Sequence, residues 1–247
     1  MRLLAVELRR FVSRRLVQVL FALSVAAILV SAVITAVTSD PPDQFRLEAL
    51  GSIYEGVSLI VAILGWVLGA SMIGAEWHAG AISTFLTWEP RRVRASVTRA
   101  SAAVLGVVLL AIALQAMLGG ALAVVAAVRG TTEGTDGEIV RSAAETALRS
   151  ALLAGFAAAV AFAIASVARN TAAALAIVFV WVAVIEGLVR GLRPGWAPWL
   201  IGDNGIVFLT GSGGIDRTMA GAGLLLSAYA VGLVAIACGV FARRDVS

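Results

Sequence analysis

The chain contains no lysine, a single cysteine and a single histidine among its 247 residues, and only 14% of its residues are charged. Without lysine no Walker A loop of the form G-x-x-x-x-G-K-[ST] can be written, so the chain has no route of that kind to ATP hydrolysis. One cysteine, Cys238, excludes an internal disulfide, and one histidine with no repeated His/Asp/Glu spacing gives no reason to expect a metal centre. Cys238 sits in an apolar stretch and reads as a small buried helix residue. That all 19 basic residues are arginine carries no functional message.

Apolar residues are what the sequence has in excess. Sixty per cent of the chain is hydrophobic and its mean hydropathy is +0.97, whereas soluble domains hold roughly 45–50% apolar and about 25% charged residues. An all-α membrane protein in a single compact domain follows, without room for a sizeable soluble domain. Six stretches have spanning length, at 16–37, 56–75, 100–128, 150–168, 171–189 and 219–241, each bounded by charges or Gly/Pro clusters. The first has 22 residues, or about 33 Å of helix, and lacks a small-x-small cleavage site before "TSDPPDQ", so it reads as a retained helix and not a signal peptide. Only Arg169 and Asn170 separate the fourth and fifth, which predicts a tight antiparallel hairpin. "GWVLG", Gly65 to Gly69, presents a small-x-x-x-small face suited to close helix packing, including to a second copy.

Arginine sets the orientation. With a cytoplasmic N-terminus the inner segments hold twelve arginines and four acids, and the outer segments seven arginines and eleven acids. The sums are 12 − 4 = +8 inside and 7 − 11 = −4 outside, so both termini are expected in the cytoplasm. The net charge of +4 then describes a membrane face in reach of anionic lipid, and nucleic acid is not an expected partner. Residues 1–15, "MRLLAVELRRFVSRR", carry Leu4, Leu8, Phe11 and Val12 at helical spacing with arginines mostly off that stripe. They predict an amphipathic helix lying in the inner interface.

Residues 76–99 form the largest internal loop. In "GAEWHAGAISTFLTWEPRRVR" the residues Ala81, Ile82, Phe85 and Leu86 recur at helical spacing, Pro90 ends the helix, and Trp77 and Trp88 suit an interface belt. Glu76, at the membrane edge, has Arg91 and Arg92 as candidate partners or can cap the helix. Glu76, Gly80, Ile82, Phe85, Leu86, Pro90, Arg91 and Arg92 resemble the pattern that opens the internal loop of ABC type-2 exporter permeases. The ending "FARRDVS" resembles the family's aromatic-x-R-R-D-V/I termination. Ala81 stands where threonine is usual and Arg99 near where many members carry lysine. The resemblance implies that residues 1–15 are an elbow helix and that Glu76 to Arg92, Trp77 included, form a coupling helix docked on a separate ATPase. It further implies two copies of that ATPase, which holds the ATP and Mg while this chain binds no cofactor, and a second permease subunit, identical or paralogous, in a bacterial cell membrane.

At the other face, residues 190–218 are too polar and too broken by Gly and Pro to span, yet rich in Trp196, Trp199, Leu200, Ile201, Phe208 and Leu209. They predict an interfacial or partly inserted segment, which the resemblance implies is a pair of short re-entrant helices forming an outer gate. Glu186 and Arg190 at i, i+4 are set to pair on one face. Gln115, deep in the third span, is a candidate for lining a polar pathway or bonding across helices. These two charges, Gln115, Trp196 and Trp199 are the pathway or gate candidates. Ser212 and His78 fall on opposite sides of about 30 Å of hydrocarbon, which excludes a nucleophile–base pair between them. A channel or membrane scaffold without a motor is the alternative from another class, and it leaves the internal loop pattern unexplained.

Overall fold

The computed structural model describes residues 2–40, 44–78 and 91–243. Among them the chain is helical, with one isolated bridge between Arg46 and Thr131 joining two loops. The helices are α1 (Arg2–Ser13), α2 (Arg15–Thr38), α3 (Leu50–His78, preceded by a 3-10 turn at Leu47–Ala49), α4 (Arg92–Val128), α5 (Gly137–Ala168), α6 (Thr171–Val180), α7 (Glu186–Leu192), α8 (Ile201–Thr210) and α9 (Met219–Arg243). A π-helical turn, Trp181–Ile185, fuses α6 and α7 into one rod, and a 3-10 turn, Pro194–Trp199, leads into α8. Six of these segments are long and apolar enough to cross a membrane, including 171–192 as one unit. This is a multi-pass membrane architecture.

The six spans divide by burial. Half or more of α3, α4 and α5 is buried inside the bundle, whereas α2, α6–α7 and α9 are largely exposed on its outside. In lipid the hydrophobic effect cannot drive helices together, so association depends on close packing of small residues. The inner trio shows this directly. Gly65 faces the Ala154 backbone and Gly69 the Ala158 backbone, so closely that a Cβ on either would collide with main chain. Both residue numbers rise together, so α3 and α5 run parallel, and the Gly65/Gly69 face is consumed within the chain and not by a second copy. On α4, Val108 meets Gly155, while Leu118 and Leu122 cluster with Tyr54 and Ala143.

Helix ends run beyond the spans read from the sequence. Helix α5 begins at Gly137 and not near 150, because Asp136 caps it by accepting from the Glu138 and Ile139 N–H groups at 3.0 and 2.9 Å. The pairs Arg141–Glu145 and Arg149–Glu145, 3.3 and 3.0 Å, then support its first turns. Charge ends a span; it does not end a helix. The hairpin at Arg169 and Asn170 is present as expected, with Arg169 left-handed (φ 55°) and Asn170 capping α6 through the Ala173 N–H at 3.1 Å.

Helix α1 is two-faced as expected, and its apolar stripe packs against the bundle. Phe11 is 2% exposed, and Leu4 and Leu8 pack on the same core, because the apolar stripe turns inward onto the bundle while Val12 faces out. Gly106 of α4 makes the notch: a Cβ there would lie 2.7 Å from the Phe11 ring. Below, the end of the bundle that holds the N-terminus is called proximal and the other end distal.

Candidate functional site

The proximal end holds a buried charge cluster. Arg14, the corner between α1 and α2, has an extended backbone (φ −68°, ψ 130°), which stops α1 and lets its side chain reach α3. Its guanidinium donates to the Ser71 and Met72 carbonyls at 2.9 and 3.1 Å and to Glu76 Oε1 at 2.7 Å. Arg99 Nη1 lies 2.5 Å from Glu76 Oε2, and Arg10 approaches Glu76 at 3.5 Å. Glu7 completes the set, 3.2 Å from Arg10 and 3.7 Å from Arg99. Arg99 and Glu7 are each 2% exposed. Burial lowers the affinity of the Arg14 guanidinium for its proton, Glu76 opposes this, and Arg10 and Arg99 add to it; arginine's intrinsic basicity keeps the group charged. Three cations against two carboxylates leave a surplus of one positive charge in this group.

Trp77, next in sequence, extends the cluster. Its ring meets Phe241 edge-on at 6.1 Å, and the Arg169 guanidinium lies 4.3 Å over it. Cys238 Sγ donates to Ser96 Oγ at 3.3 Å, which ties α9 to the start of α4. The end of α3 and the start of α4 are therefore fixed to α1, α9 and the α5–α6 turn. These are the helix ends on either side of residues 79–90.

Of the coupling residues expected from the sequence, Gly80, Ile82, Phe85, Leu86 and Pro90 lie outside the described residues. Arg91 is the N-cap residue of α4 and Arg92 its first residue. Glu76 was expected to find Arg91 or Arg92, its sequence neighbours across the loop; it is met by Arg10, Arg14 and Arg99 because α1 packs under α4. Sequence reasoning missed Glu7. The available signal was its position: it is three residues after Leu4 and four before Phe11, so the only acid of the basic N-terminal segment lies on the stripe that turns inward.

The distal site has a different construction. Glu186 is 1% exposed. It does not form the expected pair with Arg190: its two oxygens accept from the Ile201 and Gly202 N–H groups, both at 2.8 Å, capping α8 from another helix. Gly202 admits this approach, since a Cβ there would lie 2.7 Å from Glu186 Oε2. Arg190 instead makes a two-pronged pair with Asp203 at 2.7 and 3.2 Å. Asn204, wholly buried, donates to the Pro198 and Leu200 carbonyls. Gly205 packs on Leu153 and the Leu209 carbonyl accepts from Arg149, so α8 runs antiparallel to α5 and its N-terminus is its deepest point. The segment from Pro194 to Thr210 thus turns into the bundle and out again. Trp196 is exposed on it; the Trp199 carbonyl accepts from the Tyr229 hydroxyl at 3.0 Å, and Arg217 lies 5.6 Å over the Trp199 ring.

Gln115 is buried in α4 with its amide unpartnered, and Tyr54 donates to its backbone carbonyl at 2.9 Å. It lines neither of the two large concavities. One is an open groove of about 1260 Å³ walled by α4, α5 and α9, almost wholly apolar. The other is a slot of about 400 Å³ between α5, α6–α7 and α9, which reaches Glu186 and Trp199. Among the described residues no three His, Cys, Asp or Glu side chains are grouped to hold a metal. In comparison with known proteins, the chain matches no family model and no curated sequence.

Proposed function

We propose that this chain is the membrane-spanning permease subunit of an ATP-driven exporter of the ABC type-2 kind, working with a second permease subunit and two copies of a separate ATPase. The observation that carries this reading is the Glu7–Arg10–Arg14–Glu76–Arg99 cluster, with Glu7, Glu76 and Arg99 buried at its centre, which clamps α1 to the helices on either side of residues 79–90. A segment whose flanking helices are tied together by the close Arg14–Glu76 and buried Arg99–Glu76 pairs passes a displacement to those helices, because buried pairs are costly to break one partner at a time. An ATPase pressing on residues 79–90 would then move α3, α4 and α1 together. Nucleotide and Mg belong to that partner, which supplies the free energy; this chain contributes the transmission and the pathway. The apolar groove and the slot offer surface for hydrophobic cargo such as a drug, an antibiotic, a peptide or a lipid. The expected setting is a bacterial cell membrane with both termini in the cytoplasm.

The test is a mild-detergent pull-down of the tagged chain from its native membrane with mass spectrometry. A near-stoichiometric P-loop ATPase is expected. Recovery of the chain without a nucleotide-binding protein across several detergents would leave a channel or scaffold as the better reading. Given the ATPase, Phe85→Asp is expected to abolish cargo-stimulated ATP hydrolysis in a permease that still elutes as wild type, and unchanged stimulation would rule out docking through that residue.

A further inference from the structure

The slot differs from the groove in its lining. Trp66, Phe156, Trp181, Trp199 and Tyr229 give it aromatic walls, and Glu186 gives it a carboxylate. Its volume of about 400 Å³ lies in the range of small-molecule sites, roughly 300–1,000 Å³. The lining residues of α6–α7 run from Ile177 to Glu186, about 14 Å of helix, so the slot is elongated with its carboxylate at the distal end.

The local backbone brings ring and charge together. Residues five apart stand about 140° apart around an α-helix, but here the Glu186 N–H donates to the Trp181 carbonyl, and this i→i+5 closure turns both toward one face. Single π turns of this kind recur at functional sites. The charge is also left in part uncompensated. Among the described residues Glu186 makes no ion pair within contact distance; Arg190, bound to Asp203, acts on it only at longer range. The α8 N-terminus supplies only about half a positive charge. Aromatic faces add negative potential, and Trp199 already holds one guanidinium, that of Arg217.

We propose that the slot binds a lipophilic organic cation, an amphiphilic amine or quaternary ammonium, with its charge beside Glu186, Trp181 and Trp199 and its apolar part along Phe156 and Val160. This names a substrate class for the exporter and rests on that reading only for transport; binding needs no ATPase. The probe is tetraphenylphosphonium, titrated into the purified chain in detergent and followed by tryptophan fluorescence and equilibrium dialysis, with tetraphenylborate as an anion of the same shape. Saturable binding of the cation, not displaced by the anion, is expected. Glu186→Gln, which keeps an acceptor for α8, is expected to weaken it about tenfold, and Trp181→Leu, at a half-exposed ring, several-fold. Equal competition by the anion would overturn the proposal. So would wild-type binding by Trp181→Leu, or by Glu186→Gln where that variant keeps wild-type helicity and elution. The pull-down result is independent: an ATPase with no cation binding sinks only the slot, and cation binding with no ATPase sinks only the motor.

Discussion

Glu76 and Glu186 are both buried carboxylates near helix ends, and the molecule compensates them in opposite ways. Glu76 is met by side chains, with guanidinium groups from α1, the α1–α2 corner and α4 converging on its two oxygens. Glu186 is met by main chain, through two N–H groups of the first turn of α8. The first arrangement is a cross-brace whose members sit on well-separated parts of the sequence, and removing one strands full charges away from water. The second depends on the placing of a single short helix. A network of ion pairs ties the proximal end together through side chains of three helices, whereas the distal segment is held by main-chain acceptance at Glu186, the Arg190–Asp203 pair, and the Arg149 and Tyr229 hydrogen bonds to its carbonyls. Under the proposed exporter reading, the braced end would carry the displacement and the other end would open.

The comparison breaks most visibly at Glu76. Glu76→Ala removes the closest carboxylate from buried Arg99 and from Arg14, and is expected to cost about 3–5 kcal/mol, seen as a large fall in melting temperature by size-exclusion thermal assay and in yield from membranes. Glu76→Gln should recover only part of this. A melting temperature equal to wild type would show that the cluster does not brace the fold. At Glu186 the expected loss is smaller, about 1–2 kcal/mol for Glu186→Ala, as for an N-cap. It should be local, with faster hydrogen exchange of the Ile201 and Gly202 amides and new protease cleavage within 194–210.

Arg190→Ala removes a half-exposed pair and is expected to change stability by under about 1 kcal/mol. Its effect should fade in high salt, while the Glu76 variants keep theirs, because buried pairs are screened far less. The smallest expected effect is that of Arg169→Gly. Glycine relieves the left-handed φ of 55° but loses the guanidinium over Trp77, so the two terms offset to within about 0.5–1 kcal/mol. A loss well beyond that in the melting assay would make the Trp77 contact a third member of the proximal brace.

The six spans and the 169–170 hairpin were legible because hydropathy is a local property of the sequence; Gly, Pro and polar residues showed that 190–218 would not span, while its short helices were expected only from the family resemblance. The helix limits were less so, since Asp136 and the Arg141–Glu145–Arg149 pairs carry α5 well past its apolar stretch. Glu76 and Glu186 were read with neighbours that the structure does not give them as partners. In each case sequence proximity suggested a neighbour, Arg91 or Arg92 in one and Arg190 in the other, while the true partners come from helices brought near by packing. Periodicity reported that α1 is two-faced and suggested the membrane interface; that Phe11 seats against Gly106 of α4 is a tertiary contact that periodicity does not encode.

The parallel contact of α3 with α5 also has an evolutionary consequence. At Gly65 and Gly69 a new side chain would meet the main chain of Ala154 and Ala158, and backbone cannot rotate aside as a side chain can. Substitution is therefore sterically barred at these two positions of the central pair, whereas the exposed helices α6–α7 and α9, which supply much of the slot lining, carry no such bar over most of their length. A lineage of such chains can change what it recognises without rebuilding what holds it together.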